Sequence, residues 1–398
     1  MRWIVLSVFA LAAGLSQLLW LNFAPLISLI EKRYAVSEND AGLLLLVFPL
    51  VYMILSIPSG MMIDRKGYRF TVGMGTILMA VFSCVRIFSR PGPGGFGILL
   101  ISQIGIAVAQ PFVVNGISKL VLDWFEKSQE ALANGIGTMG MFLGMAIGMG
   151  ATPPLVDRFG FEGAMAVFAA FSILVSVSFF AFVHPNRARA NPDMATAFGW
   201  KEFRTLLRNP GLALVFVLAF LGLGFFNGLT TWIEPILAPN GIDSVQAGVV
   251  GAALILGGVV GAVVIPGLSD TFRRHKPFLV GSILIALLTV FPLCNGNRFS
   301  LLLVLGALQG FFFLPAFALL LAMCSELAGE KLAGAATGIL MLMGNAGGVV
   351  VILAMEAVKS EASPNPFGPS VYLLFALLAG AFLCSLFVAE THPALKRG

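Results

Sequence analysis

The chain has 398 residues, of which 58% are hydrophobic and only 11% are charged. Soluble domains carry about 25% charged residues, so a water-soluble protein of this length would have too few charges to cover its surface. The net charge of +5 reflects how membrane proteins place Lys and Arg, and it is poor evidence for binding to nucleic acid. Composition therefore predicts an integral, multi-pass membrane protein in contact with the lipid bilayer.

Twelve apolar runs are long enough to cross a bilayer. A hydrocarbon core of about 30 Å requires about 20 such residues per helix. The predicted spans are 4–30, 41–63, 70–89, 96–122, 131–156, 164–183, 211–236, 245–268, 277–294, 299–325, 333–357 and 370–389. The expected fold class is an all-α membrane protein with twelve transmembrane helices.

The distribution of Lys and Arg predicts the orientation. If the N-terminus is cytoplasmic, 17 of the 24 Lys and Arg residues lie on the cytoplasmic side, and Arg86 is counted among the seven on the outer side. This bias follows the positive-inside rule. We therefore expect both termini in the cytoplasm and the protein in the plasma (inner) membrane, where it is expected to be a monomer.

The longest polar connection, 184–210, divides the spans into two sets of six. The expected bundles are 1–183 and 211–398, and two related six-helix halves are typical of secondary transporters. Within the connection, the segment 200–208 is either a short amphipathic helix on the inner membrane surface or an ordinary basic linker.

The loop between the second and third spans carries the pattern G-x-x-x-D-R-x-G-x-R. It consists of Gly60, Asp64, Arg65, Gly67 and Arg69. The loop at the same place in the second half has Asp270 and Arg273, but Pro266 replaces its first glycine and Thr271 its first basic residue. The pattern resembles the signature loop of the major facilitator superfamily. That resemblance implies two pseudo-symmetric bundles that move about a central site to give alternating access.

This loop also has a physical interpretation. Gly60 would permit close approach of a helix, and Asp64 at a helix end could cap the backbone or pair with a basic residue. Such a pair could latch one conformation and release in another, which makes the loop a candidate gate. The alternative is that its charges only set the membrane orientation.

Polar side chains at membrane depth are costly, so they mark candidate functional residues. Asn227, Thr230, Thr231 and Glu234 stand at i, i+3, i+4 and i+7 of the seventh span, which places them on one helix face. This face is expected to line a substrate cavity or to hold helices together. Glu234 is either a carboxylate that couples transport to protons or a solvated glutamate at a helix end.

Other candidate substrate contacts lie on four further spans. They are Gln17, Trp20 and Asn22 on the first span, Gln103, Gln110 and Asn115 on the fourth, Gln309 on the tenth and Asn345 on the eleventh. Each amide could contact the solute or bond to another helix. Trp20 could offer its π-face to a cation, or it could pack or sit in the outer aromatic belt.

Regularly spaced glycines predict close helix packing in two further spans. They are Gly140, Gly144 and Gly148 in the fifth span, and Gly257, Gly258 and Gly261 in the eighth.

A narrower resemblance comes from WLNF in the first span, AQPFVVNGISKLVLDWF around the fourth and GMFLGMAIG in the fifth. Over about the first 155 residues these segments resemble the feline leukaemia virus subgroup C receptor family, which is associated with choline, ethanolamine and haem transport. The resemblance implies that Trp20 helps to enclose a quaternary ammonium. Asn227 stands where that family has a second aromatic residue, and Phe142 and Asn345 stand where it has two glutamines.

The expected function is secondary active or facilitative transport of a small organic solute, with a cationic amine such as choline as a candidate. Both proton symport and facilitated diffusion remain open. The alternative is a proton-coupled exporter of drugs or metabolites, although Met149 follows Gly148 where such exporters carry a Gly-Pro pair. No enzyme activity, cofactor or metal is expected, because the sequence has no catalytic Ser/His/Asp set and no metal-ligand spacing.

Overall fold

The computed structural model describes residues 2–127, 129–184, 200–329, 332–360, 363 and 365–391, and their regular structure is helical throughout. Eleven helical segments in these ranges are long and apolar enough to cross a membrane. The fifth, Leu132–Phe182, has 51 residues, or about 77 Å at 1.5 Å per residue, which is more than twice the hydrocarbon thickness. It is interrupted at Gly160 (φ 72°, ψ 171°), a backbone conformation that only glycine adopts readily. The segment therefore contains two spans, and the predicted total of twelve is confirmed.

The chain forms two compact units, Met1–Thr196 and Ala197–Gly398. The helices of the first unit are α1 (Arg2–Leu21), α2 (Ile27–Tyr34), α3 (Glu38–Lys66), α4 (Tyr68–Val85), α5 (Pro93–Val114), α6 (Gly116–Trp124) and α7 (Glu130–Phe182). Short 3-10 turns at Ala24–Leu26 and Arg86–Phe88 follow α1 and α4.

The helices of the second unit are α8 (Trp200–Leu207), α9 (Pro210–Thr231), α10 (Ile233–Leu237), α11 (Ser244–Thr271), α12 (Lys276–Asn295), α13 (Phe299–Ala328), α14 (Ala333–Ala357) and α15 (Gly368–Phe387). Helix α8 confirms a helix within the segment 200–208. Its Leu206 is buried in the core of this unit with Leu212 and Val215. Contact of α8 with the membrane surface stays a prediction, and residues 185–199 of the expected linker lie outside the described part of the chain.

The glycines of the fifth span confirm the predicted close packing. A Cβ atom on Gly144 would collide with the carbonyl oxygen of Gly14, and one on Gly148 would lie 2.7 Å from the carbonyl oxygen of Leu18. The backbones of α1 and α7 therefore touch, which only small residues allow.

The glycines of the eighth span play the same part in the second unit. A Cβ atom on Gly257 or Gly261 would collide with backbone carbonyls of α13, those of Ala307 and Phe311. Helices α9 and α14 are equally close, because a Cβ atom on Gly347 would collide with the carbonyl oxygen of Phe220. Each unit is therefore built from helix pairs in direct backbone contact.

The second transmembrane span of each half, α3 and α11, begins with a capping box. Asp40 N–H donates to Ser37 Oγ at 3.1 Å, and Ser37 N–H donates to the Asp40 carboxylate at 3.1 Å. At the start of α11, Asp243 and Gln246 exchange the same two bonds. Satisfying two free N–H groups at once defines both helix starts, and the repeated device supports the internal repeat predicted from the loops.

Candidate substrate-contacting site

The first transmembrane helix of each half is broken near its C-terminal end. Helix α1 ends at Leu21, and α9 ends at Thr231. Pro25 and Pro235 lie four residues further on, and proline has no N–H group with which to bond the carbonyl at i−4. Each helix therefore stops at that carbonyl and resumes as a short segment. Interrupted helices at corresponding positions of two repeats are a good pointer to a transport site.

Trp20 lies on the last turn of α1 and is held against α3. Its indole N–H donates to the carbonyl oxygen of Leu45 at 3.2 Å, and its ring stacks on Phe48 with the centroids 6.0 Å apart. The side chain is only half-buried. The polar atom of the indole is thus satisfied inside the unit, while the residue as a whole is not fully buried.

Two glutamines on α1 and α5 combine burial with incomplete hydrogen bonding. Gln17 and Gln110 are 5% and 4% exposed. Gln17 Oε1 and Gln110 Nε2 have no hydrogen-bond partner among the described residues. Buried amide atoms are normally paired, because leaving one unpaired costs about 1–3 kcal/mol. These two glutamines therefore offer one acceptor and one donor that have no partner among the described residues.

Asn115 is fully occupied in bonding α5 to α3. Its Oδ1 accepts from the hydroxyl of Tyr52 at 2.7 Å, and its Nδ2 donates to Ser59 Oγ at 2.8 Å. Of the two roles that the sequence left open for Asn115, this geometry matches the interhelical bond. Tyr52, which the sequence analysis did not single out, is the missing partner.

The polar stripe of the seventh span is not one continuous helix face. The break at Trp232 (φ −102°, ψ 14°) separates Asn227, Thr230 and Thr231 on α9 from Glu234 on α10. The expected single face is therefore wrong, because Pro235 ends the helix that would have carried it. Glu234 is 3% exposed, so the solvated helix-end glutamate is also wrong.

The residues that remain on α9 bond largely to their own helix. Asn227 Nδ2 donates to the carbonyl of Leu223 at 2.8 Å, and the Thr230 hydroxyl donates to that of Phe226 at 2.7 Å. Asn227 also packs on Gly348 of α14, where a Cβ atom would lie 3.0 Å from its amide. Its Oδ1 has no partner among the described residues. Asn227 thus forms a helix contact and keeps one unused acceptor.

Two further amides of the second unit lie on other helices than this stripe. Gln309 on α13 is buried, and its Oε1 accepts from the Thr289 hydroxyl at 2.6 Å, which ties α13 to α12. Asn345 on α14 is half-buried and donates to the carbonyl of Met341 at 2.9 Å. The sequence analysis missed Trp232, whose indole N–H donates to the carbonyl of Ile352 at 3.2 Å and so joins the break in α9 to α14.

The loop between α3 and α4 is fixed by its second half. Gly67 (φ 80°) provides the left-handed turn that separates the two helices. Arg69 Nε donates to the carbonyl of Val183 at 2.8 Å, and the Tyr68 hydroxyl donates to that of His184 at 2.8 Å. These bonds anchor the loop to the residues just after α7.

The first half of this loop differs from expectation. A Cβ atom on Gly60 would meet no atom within 4 Å. The prediction that a helix closely approaches Gly60 is therefore wrong for this structure. Asp64 and Arg65 are exposed, and neither forms an ion pair with another residue of the described ranges. A latch made by Asp64 stays a prediction.

The corresponding loop of the second unit is held by a buried histidine. The Ser269 hydroxyl lies 2.8 Å from His275 Nδ1, and Glu326 Oε1 lies 3.2 Å from His275 Nε2. Glu390 caps the start of α12, since its carboxylate accepts from the N–H of His275 at 2.9 Å. Arg273 is exposed with φ 55°, in the tight turn that follows Asp270.

A family model for the Major Facilitator Superfamily matches residues 9–350 and 234–398. The chain belongs to the Major Facilitator Superfamily. It therefore has the fold of that superfamily, and it is a membrane transporter, as the loop motif and the two six-span halves predicted.

Superfamily members of several kinds resemble the whole chain. It is 26% identical over 432 residues to solute carrier family 49 member A3 of Xenopus tropicalis, covering 100% of this chain and 88% of that protein. It is 24% identical over 411 residues to choline/ethanolamine transporter FLVCR1 of Felis catus, covering 98% and 73%. The resemblance to the feline leukaemia virus receptor family thus extends well beyond the first 155 residues.

A solved superfamily structure supports the fold alone. The bacterial homologue of the human lysosomal transporter Spinster superimposes with a TM-score of 0.76 at 16% identity, covering 98% of this chain and 95% of that one. Identity this low carries no information on the solute.

Proposed function

We propose that the protein is a secondary transporter of a small organic cation of the choline or ethanolamine type. The observation that carries the proposal is Trp20, whose N–H group is already bonded to Leu45 while the residue is only partly buried. A ring held in this way has a fixed orientation, and its π-face attracts an ammonium group by about 0.5–2 kcal/mol. Relatives covering 98% of the chain are choline/ethanolamine transporters.

Two buried amides of the first unit, Gln17 and Gln110, suit the rest of such a solute. Gln17 lies one turn before Trp20 on α1, and its Oε1 needs a donor. The hydroxyl of choline or ethanolamine is a donor of the right kind. Gln110 supplies an N–H group for the hydroxyl oxygen. The proposed first-unit contacts are therefore Trp20 for the charge, with Gln17 and Gln110 for the hydroxyl.

The second unit has an equivalent of Gln17. Gln17 and Asn227 each stand eight residues before the proline that breaks their helix, and each has an amide oxygen with no partner among the described residues. We propose Asn227 as a further contact through that oxygen. Roles for Thr230, Thr231, Gln309 and Asn345 as contacts stay predictions.

The transport mechanism is proposed to be alternating access, as in other members of the superfamily. Glu234 is the candidate for proton coupling because it is a buried carboxylate directly after the break in α9. We further propose that the protein is a monomer in the plasma membrane with both termini in the cytoplasm. The loops at Asp64 and Asp270 are the proposed gates.

A thermal-shift panel on detergent-purified protein tests the solute class. A ligand at 100 times its Kd adds about 2.7 kcal/mol to the stability of the folded state. Choline or ethanolamine should stabilise the wild type, whereas sugars, carboxylates and nucleosides should not. The response should persist in Trp20→Phe, which keeps an aromatic face, and disappear in Trp20→Leu.

Trp3 provides a matched control on the same helix. It is 41% exposed and contacts Phe125 at the other end of α1. Trp3→Leu should therefore leave the response to choline intact. Stabilisation by drugs alone, with outward flux collapsed by an uncoupler, would instead favour the proton-coupled exporter.

A further inference from the structure

Arg86 is a buried cation that has no counter-ion among the described residues. It lies in the 3-10 turn after α4 and is 0% exposed, although the sequence analysis counted it among the charges of the outer side. No carboxylate of the described residues lies within 4 Å of its guanidinium. Arg33 in the same unit does have such a partner, because it pairs with Glu162.

The surroundings of Arg86 are apolar. The guanidinium carbon lies 5.5 Å from the ring centroid of Phe23 and 5.7 Å from that of Phe168. Aromatic faces attract a cation, but they accept no conventional hydrogen bonds from its N–H groups. The C-terminal end of α4 contributes about half a negative charge. This partial charge stabilises the guanidinium but provides no hydrogen-bond acceptor for its Nε and Nη2 atoms among the described residues. An unpaired buried charge is strongly destabilising.

The unpaired nitrogen atoms share one edge of the guanidinium. Nη1 lies 3.5 Å from Gln103 Oε1, whereas Nε and Nη2 have no partner among the described residues. By the standard geometry of arginine, the N–H bonds of Nε and Nη2 are parallel on the edge away from Nη1. This edge is the one that binds two oxygen atoms of a carboxylate at once.

Two buried amides of the same unit are connected to this region. Gln103 is oriented by donating from Nε2 to the carbonyl of Leu19 at 3.0 Å, which leaves its Oε1 for Nη1 of Arg86. Asn22 is 0% exposed and directly precedes Phe23, whose ring lies beside the guanidinium. Neither Oδ1 nor Nδ2 of the Asn22 amide has a partner among the described residues. Buried side chains that directly follow α1 and α4 thus leave several polar atoms unpaired in the described part of the unit.

We propose that the first unit binds a small monovalent anion, a halide or a short carboxylate, at the Nε–Nη2 edge of Arg86. The anion neutralises the guanidinium and accepts both N–H bonds. The aromatic surroundings disfavour sulfate, because a divalent ion costs more to remove from water. The site is connected to α1 by the hydrogen bond from Gln103 to the carbonyl of Leu19. Trp20, by contrast, is bonded to α3. The proposed anion site therefore does not depend on which solute is transported.

Melting temperatures of the purified full-length protein test this site. At constant ionic strength, gluconate is replaced stepwise by chloride, acetate or sulfate. We expect a saturable rise of about 5 °C in chloride, acetate or both, and none in sulfate. A response to acetate alone identifies a short carboxylate, and a response to chloride alone identifies a halide. Equal melting temperatures in all four salts contradict the proposal.

Two variants tie the response to Arg86. Arg86→Met should abolish it, and Gln103→Glu should abolish it by placing a carboxylate beside the guanidinium, with a raised melting temperature in gluconate. Arg33→Gln is the matched control and should keep the full response. If Arg86→Met does not fold, Gln103→Glu decides alone: an undiminished anion response in that variant contradicts the proposal.

Discussion

Pro25 and Pro235 occupy equivalent positions in the two units, each four residues after the residue at which a transmembrane α-helix ends. Because neither can donate to the carbonyl at i−4, both breaks follow from the covalent structure of proline. Gln17 and Asn227, eight residues earlier in each case, carry the two unpaired amide oxygens of these helices. The repeat thus preserves a broken helix and an acceptor, although the side chains differ.

The break in the second unit can be removed by Pro235→Ala. Alanine restores an N–H group that can bond to the carbonyl of Thr231, and it is about 3 kcal/mol better than proline inside a helix. We expect slower amide hydrogen exchange at 232–236 and a fall in solute uptake of about tenfold. Pro210→Ala is the control, since Pro210 starts α9 where proline is tolerated. Unchanged uptake in Pro235→Ala would show that transport does not need the break.

The contact between α1 and α7 predicts a steep dependence of stability on glycine size. In Gly144→Ala the added methyl group meets the backbone of Gly14, which cannot move aside as a side chain would. We expect a loss of about 3 kcal/mol in unfolding free energy, measured as a lower melting temperature in detergent. Gly60→Ala is the control, because its methyl group would enter open space, and it should change stability by less than about 0.5 kcal/mol.

The bond between Tyr52 and Asn115 is predicted to be structural. Tyr52→Phe and Asn115→Ala should each destabilise the protein by about 1 kcal/mol, and the double variant should lose less than the sum because both remove the same bond. The KM for the transported solute should stay within a factor of about two, which is well below the 1.4 kcal/mol that a tenfold change represents. A tenfold rise in KM for Asn115→Ala would make Asn115 a solute contact instead.

Proton coupling is predicted to depend on Glu234. Glu234→Gln removes the titratable group and keeps nearly the same shape, so any proton-driven component of uptake should disappear. Glu356→Gln is the matched control, a glutamate of the same unit that pairs with Lys359 at 3.5 Å near the end of α14. Uptake measured across a range of pH values decides the matter. An unchanged pH dependence in Glu234→Gln excludes the coupling role.

The sequence predicted well those features that depend on local composition. Apolar run length predicted all twelve spans, and the small side chains of Gly144 and Gly261 predicted backbone contact. Both signals are intrinsic to a short stretch of chain. The break at Pro235 is equally local, but the polar spacing from Asn227 to Glu234 also fits an uninterrupted helix and therefore does not predict it.

Contacts between side chains on different helices could not be predicted from local sequence. Composition places Asn115 on the fourth span but does not reveal that Tyr52 of α3 is its bonding partner. Arg86 falls within the predicted third span, yet counting charges by side treated it as an exposed end. Its burial depends on Phe23 and Phe168, which are distant in sequence. At Gly60 the local sequence predicts a close helix contact, but no atom lies within 4 Å of a Cβ placed there.

Uptake of labelled choline and ethanolamine into proteoliposomes is the decisive measurement for the proposed solute class. We expect saturable uptake by the wild type and by Trp3→Leu, partial uptake by Trp20→Phe and a loss of at least about tenfold in Trp20→Leu, which corresponds to about 1.4 kcal/mol of cation–π attraction. Wild-type vesicles that accumulate neither amine above protein-free vesicles, or Trp20→Leu vesicles that match the wild type, would contradict it.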